Sequence, residues 1–230
     1  MYTNKKALLL DMNSTFMFGE DRFGDNDDFS IYYNSINGKL PKKLLTTIIR
    51  AAYQYLDDRY ADEKFRHCFP SLEVALDKTL DIALPEEELK KIIKTFAHHE
   101  LGHIPNEFIT VLKELKERFI LSVVIDIWSP KKAWLETFKK SGISYLFSAS
   151  SFSSDHAMVK PSPKPFELVV NQLNLPKAEC LVIGDSVRRD LGGAIAAGID
   201  CILVGGVSAP GAIACYPSLL EFSREILRHS

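Results

Sequence analysis

This sequence lacks several features that would narrow its function at once. It has four cysteines, Cys68, Cys180, Cys201 and Cys215, and none are paired as CxxC, which removes the common zinc frameworks. Cys180 and Cys201 adjoin apolar runs and read as buried, reduced thiols. No stretch reaches the roughly 18 uncharged apolar residues of a membrane span. Only Ala7-Leu8-Leu9-Leu10 separates the polar N-terminus from Asp11, short of the roughly 7–15 apolar residues of a secretory signal. The expectation is a soluble cytoplasmic protein with no membrane partner. Excess positive charge is missing too: the formal net charge is −2, so nothing provides the basic face that nucleic acid selects. Internal repeats and low-complexity segments are also absent. What is present is ordinary globular composition, 46% hydrophobic and 25% charged over 230 residues, enough for one α/β domain carrying a smaller insert.

The pattern along the chain gives that arrangement. Ala7–Leu10 is a short apolar run ending at a carboxylate, as buried parallel strands do. Residues 18–28 are rich in Gly, Asp and Asn and read as loop. After Pro41, apolar residues recur at helical spacing (Leu44, Ile48, Ile49, Ala52, Leu56). Further helical stretches cover 71–80 and 85–99, the latter opening with Glu86-Glu87-Glu88, where the helix dipole favours acids. This span of about 60 residues shows no strand pattern. From 106 onward helices and strands alternate. Helices are predicted over 106–118, 131–141, 163–173, 189–197 and 217–228. Strands are predicted over 121–125, 145–148, 181–183 and 201–204. Such alternation predicts a parallel sheet with right-handed crossovers and an all-helical insert between its first and second strands.

Ligands of open parallel sheets bind beyond the carboxyl ends of the strands, so the polar residues that follow each strand matter most. The first strand delivers Asp11-Met12-Asn13-Ser14-Thr15. The second delivers Asp126-Ile127-Trp128-Ser129. Beyond the third lies Lys160-Pro161-Ser162-Pro163, and the fourth delivers Gly184-Asp185-Ser186 with Asp190 a turn later. Three aspartates and a lysine thus converge on one rim. Taken singly, each has a plainer reading: an aspartate after a strand is usually a helix cap, and Lys160 is a solvated loop residue.

Together and in this order, these segments resemble the haloacid dehalogenase (HAD) superfamily. Asp11-x-Asn13-x-Thr15 is similar to its DxDxT motif, Lys160-Pro161 to its lysine motif, and Gly184-Asp185-Ser186-x-x-x-Asp190 to its acidic motif. The resemblance implies an α/β, Rossmann-like core formed by residues 1–17 and 106–230. A helical cap of residues 18–105 would be inserted between the first two strands. It implies a Mg²⁺-dependent hydrolase of a small phosphorylated metabolite, working as a monomer or homodimer through an aspartyl-phosphate at Asp11. The implied metal set is Asp11, the backbone carbonyl of Asn13, Asp185 and Asp190, with Asp190 alternatively holding Lys160. Chemically this fits. A desolvated carboxylate aimed at phosphorus is a usable nucleophile, Mg²⁺ takes one or two carboxylates plus phosphate oxygens, and a lysine offsets the developing charge.

Two positions depart from the family pattern. Its phosphatases carry an aspartate two residues after the nucleophile, and Asn13 cannot do that acid–base work near neutral pH. The strand-two position, where the family has Ser or Thr, is Asp126 in a gapless reading and Ile125 or Ile127 with a one-residue shift. Asp126, or a cap residue, is therefore a candidate to supply the missing acid–base function. Thr15, Ile127, Trp128 and Arg22 are candidate substrate contacts. The charged loop around Arg22 reads first as solvated, and His98, His99 and His103 as surface or core residues, because no HExxH pattern accompanies them. Two other readings stay open. One is dehalogenase-like chemistry at carbon, which in this family needs no metal. The other is a catalytically impaired binding or regulatory protein.

Overall fold

The computed structural model describes residues 2 and 4–228. Strands β1 (Ala7–Leu10), β2 (Ile120–Ile125), β3 (Phe147–Phe152), β4 (Cys180–Gly184), β5 (Asp200–Leu203) and β6 (Ala214–Cys215) form one sheet. Their order is β3-β2-β1-β4-β5-β6 and every pairing is parallel. Between β1 and β2 run α1 (Phe29–Ser35), α2 (Lys42–Ala61), α3 (Leu72–Thr79), α4 (Glu86–Glu100) and α5 (Asn106–Lys116). Helices α6 (Lys132–Lys140), α7 (Ser153–His156), α8 (Lys164–Leu173), α9 (Gly192–Ala197) and α10 (Leu219–Arg228) follow.

Strand β1 is central and wholly buried because helices cover both faces of the sheet. Its side chains alternate. Leu8 and Leu10 pack with Leu112, Trp134 and Phe222 from α5, α6 and α10. Ala7 and Leu9 pack with Phe166 and Val169 of α8 and Ala194 of α9. Each fully buried leucine contributes about 1.5–3 kcal/mol of transfer free energy, so this strand is held firmly and Asp11 leaves it from a fixed point. Helices α1–α4 surround their own apolar cluster, including Phe29, Leu45, Ile49, Leu56 and Phe96, and form a helical cap. Val159 and Trp128, from loops beyond β3 and β2, pack into that cluster and tie the cap to the sheet.

The chain passes between core and cap at one place. Phe18 N–H donates to the His103 carbonyl at 2.9 Å and His103 N–H to the Phe18 carbonyl at 2.8 Å. Gly102 is needed there, because a Cβ would sit 2.6 Å from the Phe18 carbonyl oxygen. Among the described residues no helix is long and apolar enough to cross a membrane. Cys180 and Cys201 are free and buried, while Cys68 and Cys215 are free and exposed.

Helices α1 and α7 and strands β3 and β6 are among the elements that differ from the sequence expectation. Helix α1 follows the loop 18–28 directly, started by Asp28, whose carboxylate accepts from the Ser30 N–H at 3.0 Å. Strand β3 runs over 147–152 rather than 145–148. Its Phe-Ser-Ala-Ser-Ser-Phe sequence lacks branched residues, and pairing with β2 sets its extent. The two-residue edge strand β6 carries no sequence signal of its own.

Candidate active site

The loop after β1 winds around one carbonyl. The N–H groups of Thr15, Phe16 and Met17 all donate to Met12 O at 3.0–3.1 Å. Ser14 takes the left-handed conformation (φ 55°) that this tight winding requires. Asp11 N–H donates to Ile183 O at 2.8 Å, which pins the carboxylate at the carboxyl end of the sheet. The Thr15 hydroxyl donates to Asp11 Oδ2 at 3.4 Å. Thr15 is buried and does not line the cavity, and its hydroxyl orients Asp11.

Lys160 is the hub. Its ammonium donates to Asp11 Oδ1 at 2.5 Å and to Asp190 Oδ1 at 2.7 Å, and it is only 3% exposed. The other Asp190 oxygen accepts from Ser186 N–H at 3.0 Å. Asp190 therefore holds the lysine and the turn after β4, with both oxygens engaged. Gly184 makes this packing possible, since a Cβ there would lie 2.3 Å from Asp190 Cγ. Carboxylate oxygens of Asp11, Asp185 and Asp190 all lie within 4.8 Å of one another. A set of hard oxygen donors at this spacing fits a Mg²⁺-type ion.

Electrostatics follow from burial and crowding. Burial raises Asp11 to about 7, against the pull of Lys160, and the neighbouring Asp190 and Asp185 add to the rise. Burial lowers the proton affinity of Lys160, yet the carboxylates of Asp11, Asp190 and Asp126 outweigh it and the ammonium is held charged. Asp185 is raised by burial and by Asp190.

Asp126 is the residue after β2 that faces the cavity. Its Oδ2 accepts from the Tyr60 hydroxyl at 2.7 Å and from Lys160 N–H at 2.9 Å. Its Oδ1 is buried without a partner, and burial raises its proton affinity. Ile127 lies in the sheet core. Its backbone exchanges hydrogen bonds with the Ser153 hydroxyl, 2.8 Å to the N–H and 2.7 Å to the carbonyl. The side chain expected to touch substrate therefore points away from the cavity, because the strand alternation that exposes Asp126 buries its neighbour. Trp128 lines the cavity. Arg22 does not. Its guanidinium binds the carbonyls of Gly19, His98 and Leu101, closing the end of α4 against the loop 18–28. Carbonyls left free at a helix C-terminus draw such a cation inward.

The cavity itself is about 250 Å³ and lies between the sheet edge and the cap. Several lining residues escape a strand-end search. Tyr53, Asp57 and Tyr60 stand on one face of α2 at i, i+4 and i+7, a spacing that marks a shared face without saying what it faces. Glu100, at the end of α4, accepts from the N–H groups of Trp128 at 2.5 Å and Ser129 at 2.9 Å. Burial raises Glu100 to about 7. Arg189 brings the second cation of the lining, its guanidinium 5.4 Å from the Tyr60 ring centroid.

Comparison with solved structures places this fold among known ones. The 2-haloacid dehalogenase from Pseudomonas syringae pv. Tomato DC3000 superposes with a TM-score of 0.67 at 18% identity, covering 98% of this chain and 100% of that one. A HAD phosphatase from Thermococcus onnurineus gives 0.63 at 22% identity, covering 96% and 97%. The putative HAD-hydrolase YfnB from Bacillus subtilis, solved with magnesium, gives 0.61 at 19% identity, covering 97% and 98%. At these identities the likeness is one of fold. No curated protein matches the sequence. A family model for haloacid dehalogenase-like hydrolases does match residues 5–198, a span that takes in all four segments meeting at this rim, and the chain belongs to that family.

Proposed function

We propose that this hydrolase is a Mg²⁺-dependent phosphatase of a small phosphorylated metabolite, acting through an aspartyl-phosphate at Asp11, with residues 18–105 as the cap that closes over it. The observation that carries this reading is the convergence of the Asp11, Asp185 and Asp190 carboxylates within 4.8 Å of one another. A metal-free reaction at carbon has no use for that hard-donor set. Asp11, Asp185 and the Asn13 backbone carbonyl would hold the ion, with Asp190 acting through Lys160. The ion would supply charge neutralisation on the phosphoryl oxygens.

The residues divide the work as follows. One Asp11 oxygen attacks phosphorus as the bond to the leaving oxygen breaks. Lys160 and Arg189 balance the charge that gathers on the phosphoryl group. Asp126, protonated on its free Oδ1, gives that proton to the leaving oxygen. In the second half-reaction it takes a proton from the water that opens the aspartyl-phosphate, and phosphate is released. Asn13 leaves this role vacant, and the raised proton affinity of Asp126 suits it.

Asn13 also favours a second reading, in which Asp11 attacks a carbon bearing halogen. Both are tested together by phosphate release from a panel of monoesters with Mg²⁺ or chelator, and halide release from 2-haloacids. The expected result is Mg²⁺-dependent phosphate release that disappears in Asp11→Asn and falls about 10²-fold in Asp126→Asn. Metal-independent halide release would replace the phosphatase with a dehalogenase. Neither release, with Mg²⁺ still bound, would leave a binding protein.

A further inference from the structure

The cavity is lined by seven carboxylates, against two cations, Lys160 and Arg189. Lys160 is already committed to Asp11 and Asp190. A single Mg²⁺ leaves the lining negative, and a phosphomonoester brings further negative charge. On Coulombic grounds such a site admits an anionic ester poorly unless the rest of the molecule carries positive charge.

The excess sits on the cap side, in Glu20, Asp21, Asp57 and Glu100. Acidic side chains of this kind are often simply solvated, but two features here are not those of a solvated face. The Glu20 Oε2 atom is buried and has no hydrogen-bond partner, while Glu20 Oε1 accepts from Ser14 at 3.1 Å. Buried acceptors of this sort demand a donor. Three aromatic rings also stand together in the same wall. Tyr53 and Trp128 have ring centroids 5.3 Å apart, and Tyr60 and Trp128 5.6 Å apart, at interplanar angles of 48° and 74°. Arg189 already lies over the Tyr60 ring, 5.4 Å from its centroid, so this wall accepts a cation against its rings. Arg22 is bound to three carbonyls and does not line the cavity.

We propose that the cap side of this cavity binds the ammonium end of the substrate, so that the ester cleaved at Asp11 is an aminoalkyl phosphate. This rests on the phosphatase reading for the ester, but the ammonium site can be tested without it. Carboxylates Asp21 and Asp57 supply the charge, and Trp128 with Tyr53 supplies the faces.

The first arm of the test needs no turnover. The chain has two tryptophans, and Trp134 is fully buried in the sheet core, so ligand-dependent fluorescence reports on Trp128. Ethylammonium and tetramethylammonium are titrated into Asp11→Asn protein with Mg²⁺ present, beside neutral propanol and tert-butanol. A saturable change with the cations alone, weakened about tenfold in Asp57→Asn or Asp21→Asn, is the expected result. Both positions are exposed, so these variants keep their cores. Equal responses to cations and alcohols, or none to either, would overturn the proposal whatever the ester assay gives. The second arm compares kcat/KM for phosphoethanolamine and phosphocholine with propyl phosphate and phosphoglycolate. A preference of about tenfold or more for the cationic esters supports the proposal. Turnover favouring the neutral or anionic esters overturns it. Ammonium binding without turnover of any ester would instead count against the phosphatase reading and leave the ammonium site standing.

Discussion

Two buried lysines stand at opposite ends of the same sheet, and they are set up differently. Lys5, at the amino ends of the strands, donates to the carbonyls of Ala178 at 2.8 Å and Cys180 at 3.0 Å, and to Asp200 at 2.7 Å. Its single acidic partner is half exposed, 51% by side chain, so water shares the charge. Lys160, at the carboxyl ends, faces two carboxylates exposed by only 9% and 1%. Neutral carbonyls and one wet carboxylate make a joint. Two dry carboxylates sharing one ammonium, with a third nearby, make a reservoir of unbalanced charge, which suits the metal ion and phosphoryl group of the proposed reaction. The same residue type thus stabilises the fold at one end and is held ready for chemistry at the other.

Four experiments break or sharpen this contrast. The largest effect is expected on turnover. Lys160→Met removes the charge beside the nucleophile and should lower phosphate release by about 10³-fold or more, while Lys5→Met leaves release unchanged, both measured as kcat on the best ester. Next in size is stability at high pH. Lys160→Met strands the carboxylates it served, which should cost about 3–5 kcal/mol at pH 8 by chemical denaturation. That loss should shrink towards pH 5, where protons take the place of the ammonium. Lys5→Met should cost about 1–3 kcal/mol with little change between these pH values.

A third effect belongs to the wild-type protein without metal. Asp11 and Glu100 have folded values near 7, well above ordinary carboxyls. The folded state therefore binds protons more readily than the unfolded one. The associated stability is complete below the ordinary carboxyl range and is lost as pH rises through about 7. The melting temperature in chelator should rise as pH falls from 8 to 5, and Glu100→Gln should flatten part of that slope. A melting temperature that falls over this window would contradict the burial of these groups. The smallest effect is expected for Tyr60→Phe. It removes one hydrogen bond to Asp126, about 1 kcal/mol, and should lower kcat several-fold; because that hydrogen bond holds the Asp126 proton affinity down, the limb of the pH profile set by Asp126 should move to higher pH. An unchanged profile would remove Asp126 from the proton transfer.

The sequence was most informative where structure follows from local pattern. Buried parallel strands are short apolar runs that end abruptly, so Asp11, Asp126, Lys160 and Asp185 were legible as rim residues before any fold was known. Less legible was everything that depends on how the cap docks. Tyr53, Asp57 and Tyr60 share a helical face, but periodicity does not reveal that this face meets the rim. Glu100 sits in an ordinary charged helix end, and its role as acceptor for two backbone N–H groups beyond β2 is purely tertiary. Arg22 misled for a related reason. Beside acidic residues a guanidinium suggests an anion contact, whereas unsatisfied carbonyls at the end of α4 captured it. At 126 and 127 the strand's two-residue alternation decided which side chain faces the cavity, a choice that turned on register to a single residue.

The paired Phe18 and His103 carry a consequence for how such a protein changes over time. The helical segment leaves and rejoins the sheet domain through neighbouring residues held by two reciprocal hydrogen bonds. Its ends are already closed, and loop-closure entropy grows only slowly with length, so a longer, shorter or different segment fits the same socket at little extra entropic cost. The strand order beneath is indifferent to what is plugged in. The helical segment is in that sense an exchangeable cassette, provided that its replacement again meets the rim as Tyr60 and Glu100 do.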